Sequence, residues 1–207
     1  MIDIVTIDEP FIVVNKPGGL LSVPGRGPDK QDCLSARVQR EFPDALVVHR
    51  LDMETSGLMV FARGIDAQRA LGRAFEQRRV HKQYEAVVDG LLTSDAGTIE
   101  LPLICDWPNR PRQMVDHDRG KPSTTHYRVI SRDTGAHRTR VALTPVTGRS
   151  HQLRVHMAAL GHPIIGDSLY AGTPPAAGER LLLHAALLAF PHPGTGATVG
   201  FTSAVPF

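Results

Sequence analysis

The residues best suited to chemistry lie in one short stretch, His49-Arg50-Leu51-Asp52-Met53-Glu54-Thr55-Ser56-Gly57-Leu58. A short-chain acid, Asp52, sits in a polar, hydroxyl-rich connection that ends in glycine, between apolar β-rich runs at 46–49 and 58–62. Such a connection presents a side chain while the flanking strands fix its position, which suits a carboxylate acting as nucleophile or base. An aspartate there also serves as a local Asx-turn acceptor, so the turn alone leaves both roles open.

The elements around this stretch can be read from periodicity and breakers. Residues 2–7 and 11–15 form short strands separated by Asp8-Glu9-Pro10, and the breaker-rich string from Lys16 to Gly25 is a shaped loop. A helix is predicted over 32–42, with Asp32 as N-cap and Pro43 as its stop. Residues 66–78 read as an amphipathic helix burying Ala67, Ala70, Leu71, Ala74 and Phe75, with Arg69 and Arg73 one turn apart on its other face. Further strands are predicted at 84–88, 98–101, 124–130, 139–143, 181–190 and 199–202, and Ser150 caps a helix that runs to Leu160 and stops at Gly161. Residues 172–178 read as a surface loop, and no internal repeat is present. Many strands, few helices and no regular βαβ rhythm give an α+β fold with a mixed, largely antiparallel sheet.

Composition bounds the class. At 207 residues, with 42% hydrophobic and 21% charged residues, the chain is expected to form a single domain, 1–207, with a sizeable core. No apolar run reaches the roughly 18 to 20 residues of a membrane span, and the N-terminus lacks the basic start and apolar middle of a signal peptide, so the expected location is the cytoplasm. Cys33 and Cys105 lie far apart and suggest packing rather than a disulfide framework or a zinc knuckle. The ten histidines form no His-x-x-x-His or His-Glu-x-x-His string, and His151 and His156 are five apart, so no metal site is expected. Gly148-Arg149-Ser150-His151-Gln152 lacks the second glycine of a hydrolase nucleophile elbow. A net charge of +2 leaves any nucleic-acid surface a local one. Of the 23 basic residues only Lys16, Lys30, Lys82 and Lys121 are lysine. Arginine's planar fork suits phosphates and stacked bases, although GC-rich codon usage produces the same bias.

The string His49-Arg50-Leu51-Asp52-x-x-Thr55-Ser56-Gly57-Leu58 resembles the signature of the RluA family of pseudouridine synthases, in which the aspartate is the essential catalytic residue. Lys82-Gln83-Tyr84 is similar to that family's Lys-x-Tyr element. Gly148-Arg149-Ser150-His151-Gln152-Leu153-Arg154-Val155-His156 is similar to its third motif, followed by Gly161-His162-Pro163-Ile164-x-Gly166-Asp167. Arg180-Leu181-Leu182-Leu183-His184-Ala185 resembles its last strand motif, so the likeness runs from Asn15-Lys16-Pro17 to the C-terminus. Residues 20–26 and 101–111 carry a finer likeness, to short single-domain, dual-specificity members acting on 23S ribosomal RNA and on the tRNA anticodon stem-loop. The resemblance implies one catalytic domain without an N-terminal S4-like module, its mixed sheet in two halves flanked by helices with an RNA-binding cleft between them. It implies isomerisation of specific uridines to pseudouridine, with neither metal nor cofactor. The expected partner is structured RNA, with no membrane and no obligate protein partner, the chain acting as a monomer. A binding module of the same fold without catalysis is the rival reading, and the joint presence of Asp52, Tyr84 and Arg154 argues against it.

Asp52 could act by attack on the sugar, by attack on the uracil ring, or by removing a sugar proton, and each route needs it ionised in a water-poor pocket. By resemblance, Arg154 is the opposing cation and Tyr84 lies against the target base. The target nucleotide must leave its stack, and His49 and Arg50, beside Asp52, are candidates to prop the vacated space. Arg69, Arg73, Arg79 and Lys82 are the expected phosphate contacts, in a stretch that also holds Arg63 and Arg78. Arg110, Arg112, Arg119 and Lys121 form a weaker second patch.

Overall fold

The computed structural model describes residues 2–172 and 178–207, so most of the surface loop expected at 172–178 lies outside the described residues. In chain order the elements are β1 (Asp3–Ile7), β2 (Phe11–Lys16), α1 (Leu34–Glu41), β3 (Ala45–Val47), β4 (Ser56–Arg63), α2 (Ile65–Glu76), β5 (His81–Asp89), β6 (Ala96–Glu100), β7 (Leu103–Cys105), β8 (Gln113–Val115), β9 (Thr124–Asp133), β10 (Arg138–Pro145), α3 (Gln152–Ala159), β11 (Leu183–Pro191) and β12 (Thr198–Thr202). The pairing is mixed and largely antiparallel, and with three α-helices among the described residues the class is α+β. Two compact units are present: the segment up to Lys82 together with His184–Pro206, and Gln83–Leu183 with Phe207.

In the first unit β2 pairs antiparallel with β1 and β4, β4 pairs parallel with β11 at Ser56 and Gly57, and β12 lies antiparallel to β11. The cores of β2 and β4, Phe11-Ile12-Val13-Val14 and Leu58-Met59-Val60-Phe61-Ala62, are continuous apolar runs, as strands covered on both faces require. One face, with Phe11, Val13, Leu58, Val60 and Ala62, packs with Ala67, Leu71 and Ala74 of α2, and Phe190 meets Phe11 edge-on at 5.1 Å. At Gly57 the β4 backbone has φ 114° and passes so close to β11 that a Cβ would sit 2.4 Å from the Ala185 carbonyl oxygen, a position only glycine fills. The second unit is antiparallel, β5–β10–β9–β6, with the short hairpin β7–β8 beside it. Its core joins Ala86, Val88, Val141 and Leu143 to Leu153 and Met157 of α3.

Three helix ends differ from expectation. The cap of α1 is Cys33, whose Sγ accepts from the Ala36 N–H at 3.5 Å, while Asp32 is held outward in an ion pair with Arg37 at 2.6 Å. Helix α2 ends at Glu76 because Arg78 turns left-handed, φ 56°, and the Arg79 N–H closes back on the Ala74 carbonyl. Helix α3 starts after His151, itself left-handed at φ 54°, rather than at Ser150. The three-residue strands β7 and β8 were too short and proline-flanked to show a period.

His49 ties α2 to β4. Its Nε2 accepts the Val60 N–H at 3.1 Å and its ring stacks on Phe75, with centroids 4.6 Å apart. Lys82 lies over the same phenyl ring at 5.9 Å. Burial, and then the neighbouring Lys82 charge, push the imidazole pKa down to about 3, so the ring folds neutral. An unfolded chain protonates this histidine below its ordinary 6.5 whereas the folded chain refuses the proton down to about 3. Stability therefore falls as pH drops through that window, at no more than about 1.4 kcal/mol per pH unit from this group, and is unaffected above it. His49→Gln keeps an acceptor that does not titrate, and its urea-unfolding free energy should fall less steeply than that of the parent between about pH 6 and about pH 4. Equal slopes would show that no neutral imidazole is buried here.

Candidate active site

In the first unit, Asp52 is half-buried on the connection between β3 and β4, and the neighbouring loop holds that connection from beneath. Lys16, at the end of β2, is 1% exposed, and its ammonium donates to the carbonyls of Pro17 (2.9 Å), Leu20 (2.7 Å) and Met53 (2.8 Å). The Gly19 N–H donates to the same Met53 carbonyl at 2.9 Å. The buried Ser22 hydroxyl donates to the Leu51 carbonyl at 2.6 Å and accepts the Leu51 N–H at 3.1 Å. The residues on either side of Asp52 are thus fixed through their backbones, and the Thr55 N–H closes the turn on the Asp52 carbonyl at 3.2 Å. Beyond it the Ser56 hydroxyl bonds to His184 Nδ1 at 2.8 Å, and His184 Nε2 to the Ser203 hydroxyl at 3.0 Å. A carboxylate on so constrained a backbone is preorganised for attack or proton removal.

In the second unit, Tyr84 is half-buried on β5, opposite Leu143 of β10, against the edge of the core. Arg154 of α3 is 3% exposed, and its Nε and Nη2 donate to both oxygens of the fully buried Asp167, each at 2.7 Å. Asp167 Oδ1 also accepts the N–H groups of Leu169 (2.9 Å) and Tyr170 (3.0 Å). The guanidinium lies 5.2 Å from the centre of the Tyr170 ring. The Tyr170 hydroxyl accepts the Gln113 N–H at 2.8 Å and meets His151 Nδ1 at 2.7 Å. Arg154 is therefore a cation whose orientation is set by a buried carboxylate and an aromatic face.

The polar residues of the third motif are satisfied by their neighbours rather than by a cap. Gln152 Oε1 accepts from the Thr147 hydroxyl (2.7 Å) and the Arg149 N–H (3.0 Å), and its Nε2 donates to the Thr124 carbonyl and the Thr125 hydroxyl, both at 3.0 Å. His156 Nε2 faces the Leu101 carbonyl at 3.1 Å and so carries the proton, leaving Nδ1 to accept from Thr125 at 2.9 Å. Burial lowers the pKa of His156 and the Leu101 carbonyl opposes this, which keeps that tautomer neutral.

The expected RNA contacts fall into two groups. Arg50, Arg69, Arg73 and Arg79 are exposed, with Arg69 in a loose pair with Asp66 at 3.5 Å. His49 and Lys82 share the Phe75 ring, and burial lowers the Lys82 pKa. Five further residues take part in the loop and cation geometry although the sequence reading gave them no role: Lys16, Ser22, Asp167, Tyr170 and His184. Lys16 carried a readable signal, a lysine closing an apolar strand run in a chain with only four lysines. Asp167 stands at the end of the Gly161–Asp167 motif, but nothing local in sequence pairs it with Arg154, and Tyr170 carried no signal. Arg154→Ala leaves Asp167 desolvated without its cation and should lower unfolding stability by about 3 to 5 kcal/mol, read in urea at neutral pH. A loss under about 1 kcal/mol would mean that the pair does not hold this region together.

Comparison with known proteins follows the same lines. Residues 10–159 match the family model described as RNA pseudouridylate synthase. A "Dual-specificity RNA pseudouridine synthase RluA" from Vibrio vulnificus (strain CMCP6) is 55% identical, covering 92% of this chain and 78% of its own length. Proteins of the same name are 53% identical in Yersinia pestis, covering 97% of each chain, and 51% identical in Escherichia coli (strain K12), covering 97% of this chain and 91% of the relative. Among solved structures, "Human RNA Pseudouridylate Synthase Domain Containing 1" superposes with a TM-score of 0.82 at 31% identity, over 100% of this chain and 84% of that one. "Human RNA Pseudouridylate Synthase Domain Containing 4" shares the fold, with a TM-score of 0.78 at 24% identity over 99% of this chain and 88% of that one. Matched by the family model over most of its length and more than half identical to relatives of similar extent, the chain belongs to the RNA pseudouridylate synthase family.

Proposed function

We propose that this pseudouridine synthase isomerises specific uridines in 23S ribosomal RNA and in the tRNA anticodon stem-loop, with Asp52 as its catalytic carboxylate and Tyr84 and Arg154 completing the catalytic set. The observation that carries the assignment of Asp52 is the backbone clamp from Lys16 and Ser22 on Leu51 and Met53, which fixes a half-exposed acid from both sides. Asx-turn duty alone would not call for a buried ammonium beneath the loop. The dual choice of RNA is supported by the names of relatives 51% to 55% identical. The roles of Tyr84 and Arg154 are supported by the motifs in which they stand and, for Arg154, by its locked orientation.

The isomerisation breaks the N-glycosidic bond, turns the uracil and joins its C5 to the same ribose carbon, with no net redox change and no external water. Asp52 opens the sequence as nucleophile or base, Arg154 contributes fixed positive charge, and Tyr84 lies beside the base for proton transfer at C5. Exposed Arg50 props the RNA once the nucleotide has left its stack, and Arg69, Arg73 and Arg79, with the half-buried His49 and Lys82 beside them, form the RNA surface. The chain would act as a monomer in the cytoplasm, where both RNAs are found, and no helix among the described residues is long and apolar enough to cross a membrane.

Asp52→Asn preserves volume and should fold and bind RNA as the parent does, yet release no tritium above background from uridine-labelled RNA. Turnover by that variant, purified free of wild-type enzyme, overturns the assignment of Asp52. An isolated anticodon stem-loop and a hairpin of large-subunit ribosomal RNA should each be modified by the wild-type chain. If the stem-loop carries no pseudouridine after exhaustive reaction, the tRNA half of the proposal fails while the catalytic assignment stands.

A further inference from the structure

Trp107 is the chain's one tryptophan, and it is 64% exposed at the tip of the hairpin joining β7 to β8. An indole left in water at this level contributes little to the core, so its place on the surface needs another reason. The Arg110 guanidinium lies over the ring at 4.4 Å from its centre, close enough to hold the indole as a flat plate. The loop beneath it is fixed by its own backbone: the Asp106 N–H donates to the Arg112 carbonyl, the Asn109 N–H to the Asp106 carbonyl and the Arg112 N–H to the Asn109 carbonyl, at 3.0 to 3.1 Å. The Asp106 carboxylate accepts from Asn109 Nδ2 through both oxygens, at 3.2 and 3.0 Å, so the loop's acid is engaged within the loop. At the hairpin base, Arg112 lies over the Tyr170 ring at 5.5 Å, and the Gln113 N–H is held by the Tyr170 hydroxyl.

From this geometry we infer that Trp107, backed by Arg110, is a stacking platform for an unpaired base of the RNA substrate, with Arg110 and Arg112 beside it for the adjoining phosphates. The inference rests on the family's action on RNA, not on the roles given to Asp52, Tyr84 or Arg154. A nucleobase fits because it offers a π-face to the open side of the indole and carries its negative charge one bond group away, where the arginines stand. A protein partner fits poorly, since the exposed apolar surface of the loop is limited to Trp107, Pro108 and Pro111 among Asn109, Arg110 and Arg112, far less than a stable protein interface buries. Tyr170 contacts both the hairpin base and the Arg154 guanidinium, so the platform stands on the same framework that orients that cation.

Because Trp107 is unique, its emission reports on this site alone. Titrating the full wild-type chain with an anticodon stem-loop RNA should quench that emission, saturating at the midpoint found from a label on the RNA, whereas a fully paired duplex should leave it unchanged. Trp107→Leu should weaken binding of the stem-loop by about 5- to 30-fold and raise KM by a similar factor, with kcat at saturating RNA within about two-fold and an unchanged melting temperature. Trp107→Tyr should recover most of the affinity, as a π-face requires and a purely apolar contact does not. Unchanged emission at saturating RNA, equal quenching by the duplex, or parental binding by Trp107→Leu would each overturn the platform. Failure of the wild-type chain to modify the stem-loop, read in the same samples, would count against the substrate assignment and not against stacking.

Discussion

A buried ammonium organises the loop that carries Asp52. Lys16 is taken almost wholly out of water, which is costly for a cation unless every direction it faces offers an acceptor, and it faces the carbonyls of Pro17, Leu20 and Met53. Three backbone carbonyls from two loops thereby converge on one point charge, and one of them belongs to the residue that follows Asp52. The breaker-rich loop after β2 is shaped as it is because its carbonyls must turn inward to this lysine. Ser22 then engages Leu51 on the other side of Asp52. The acid stays partly accessible while its backbone is as constrained as a core strand, a division of labour that active sites on loops require.

The same economy recurs in the second unit. Asp167 is wholly buried and divides its oxygens between a guanidinium and two backbone N–H groups, so Arg154 is oriented without any contact to solvent. Gln152, Thr125 and His156 form a closed chain of donors and acceptors beneath the same helix. A helix buried on all sides needs such satisfaction at each polar position, and the left-handed His151 is where the backbone yields to permit it. That residue marks the limit of a local reading: Ser150 has the chemistry of a cap, but the helix starts two residues later, where Gln152 bonds to Thr124 and Thr125 of β9.

What could be read from the sequence was whatever repeats along the chain or depends on near neighbours. The amphipathic stripe of Ala67, Leu71 and Ala74, the apolar runs of β2 and β4, and the polar turn holding Asp52 all carry local signals, and all have the predicted type. The partners that make the site rigid lie far apart in sequence, as Lys16 does from Met53, Ser56 from His184 and Gln113 from Tyr170. No periodicity encodes such pairs. His49 shows the same limit, since its place beside Asp52 gave no sign of the Val60 N–H and the Phe75 ring that hold it.

The parallel register of β4 and β11 also bears on how the enzyme comes to exist. The start of β4, just after the Asp52 loop, is completed by His184 and Ala185 of β11, and His184 is braced in turn by Ser203, just past β12. During synthesis the loop bearing Asp52 emerges from the ribosome early, yet its neighbouring strand lies more than a hundred residues downstream. The nascent protein thus carries Asp52 beside an unfinished edge of β4 until β11 has been made. A chain that stops short of β11 therefore lacks both the parallel neighbour of Ser56 and Gly57 and the imidazole that holds the Ser56 hydroxyl, so the far side of the Asp52 loop is settled only by a long-range pairing.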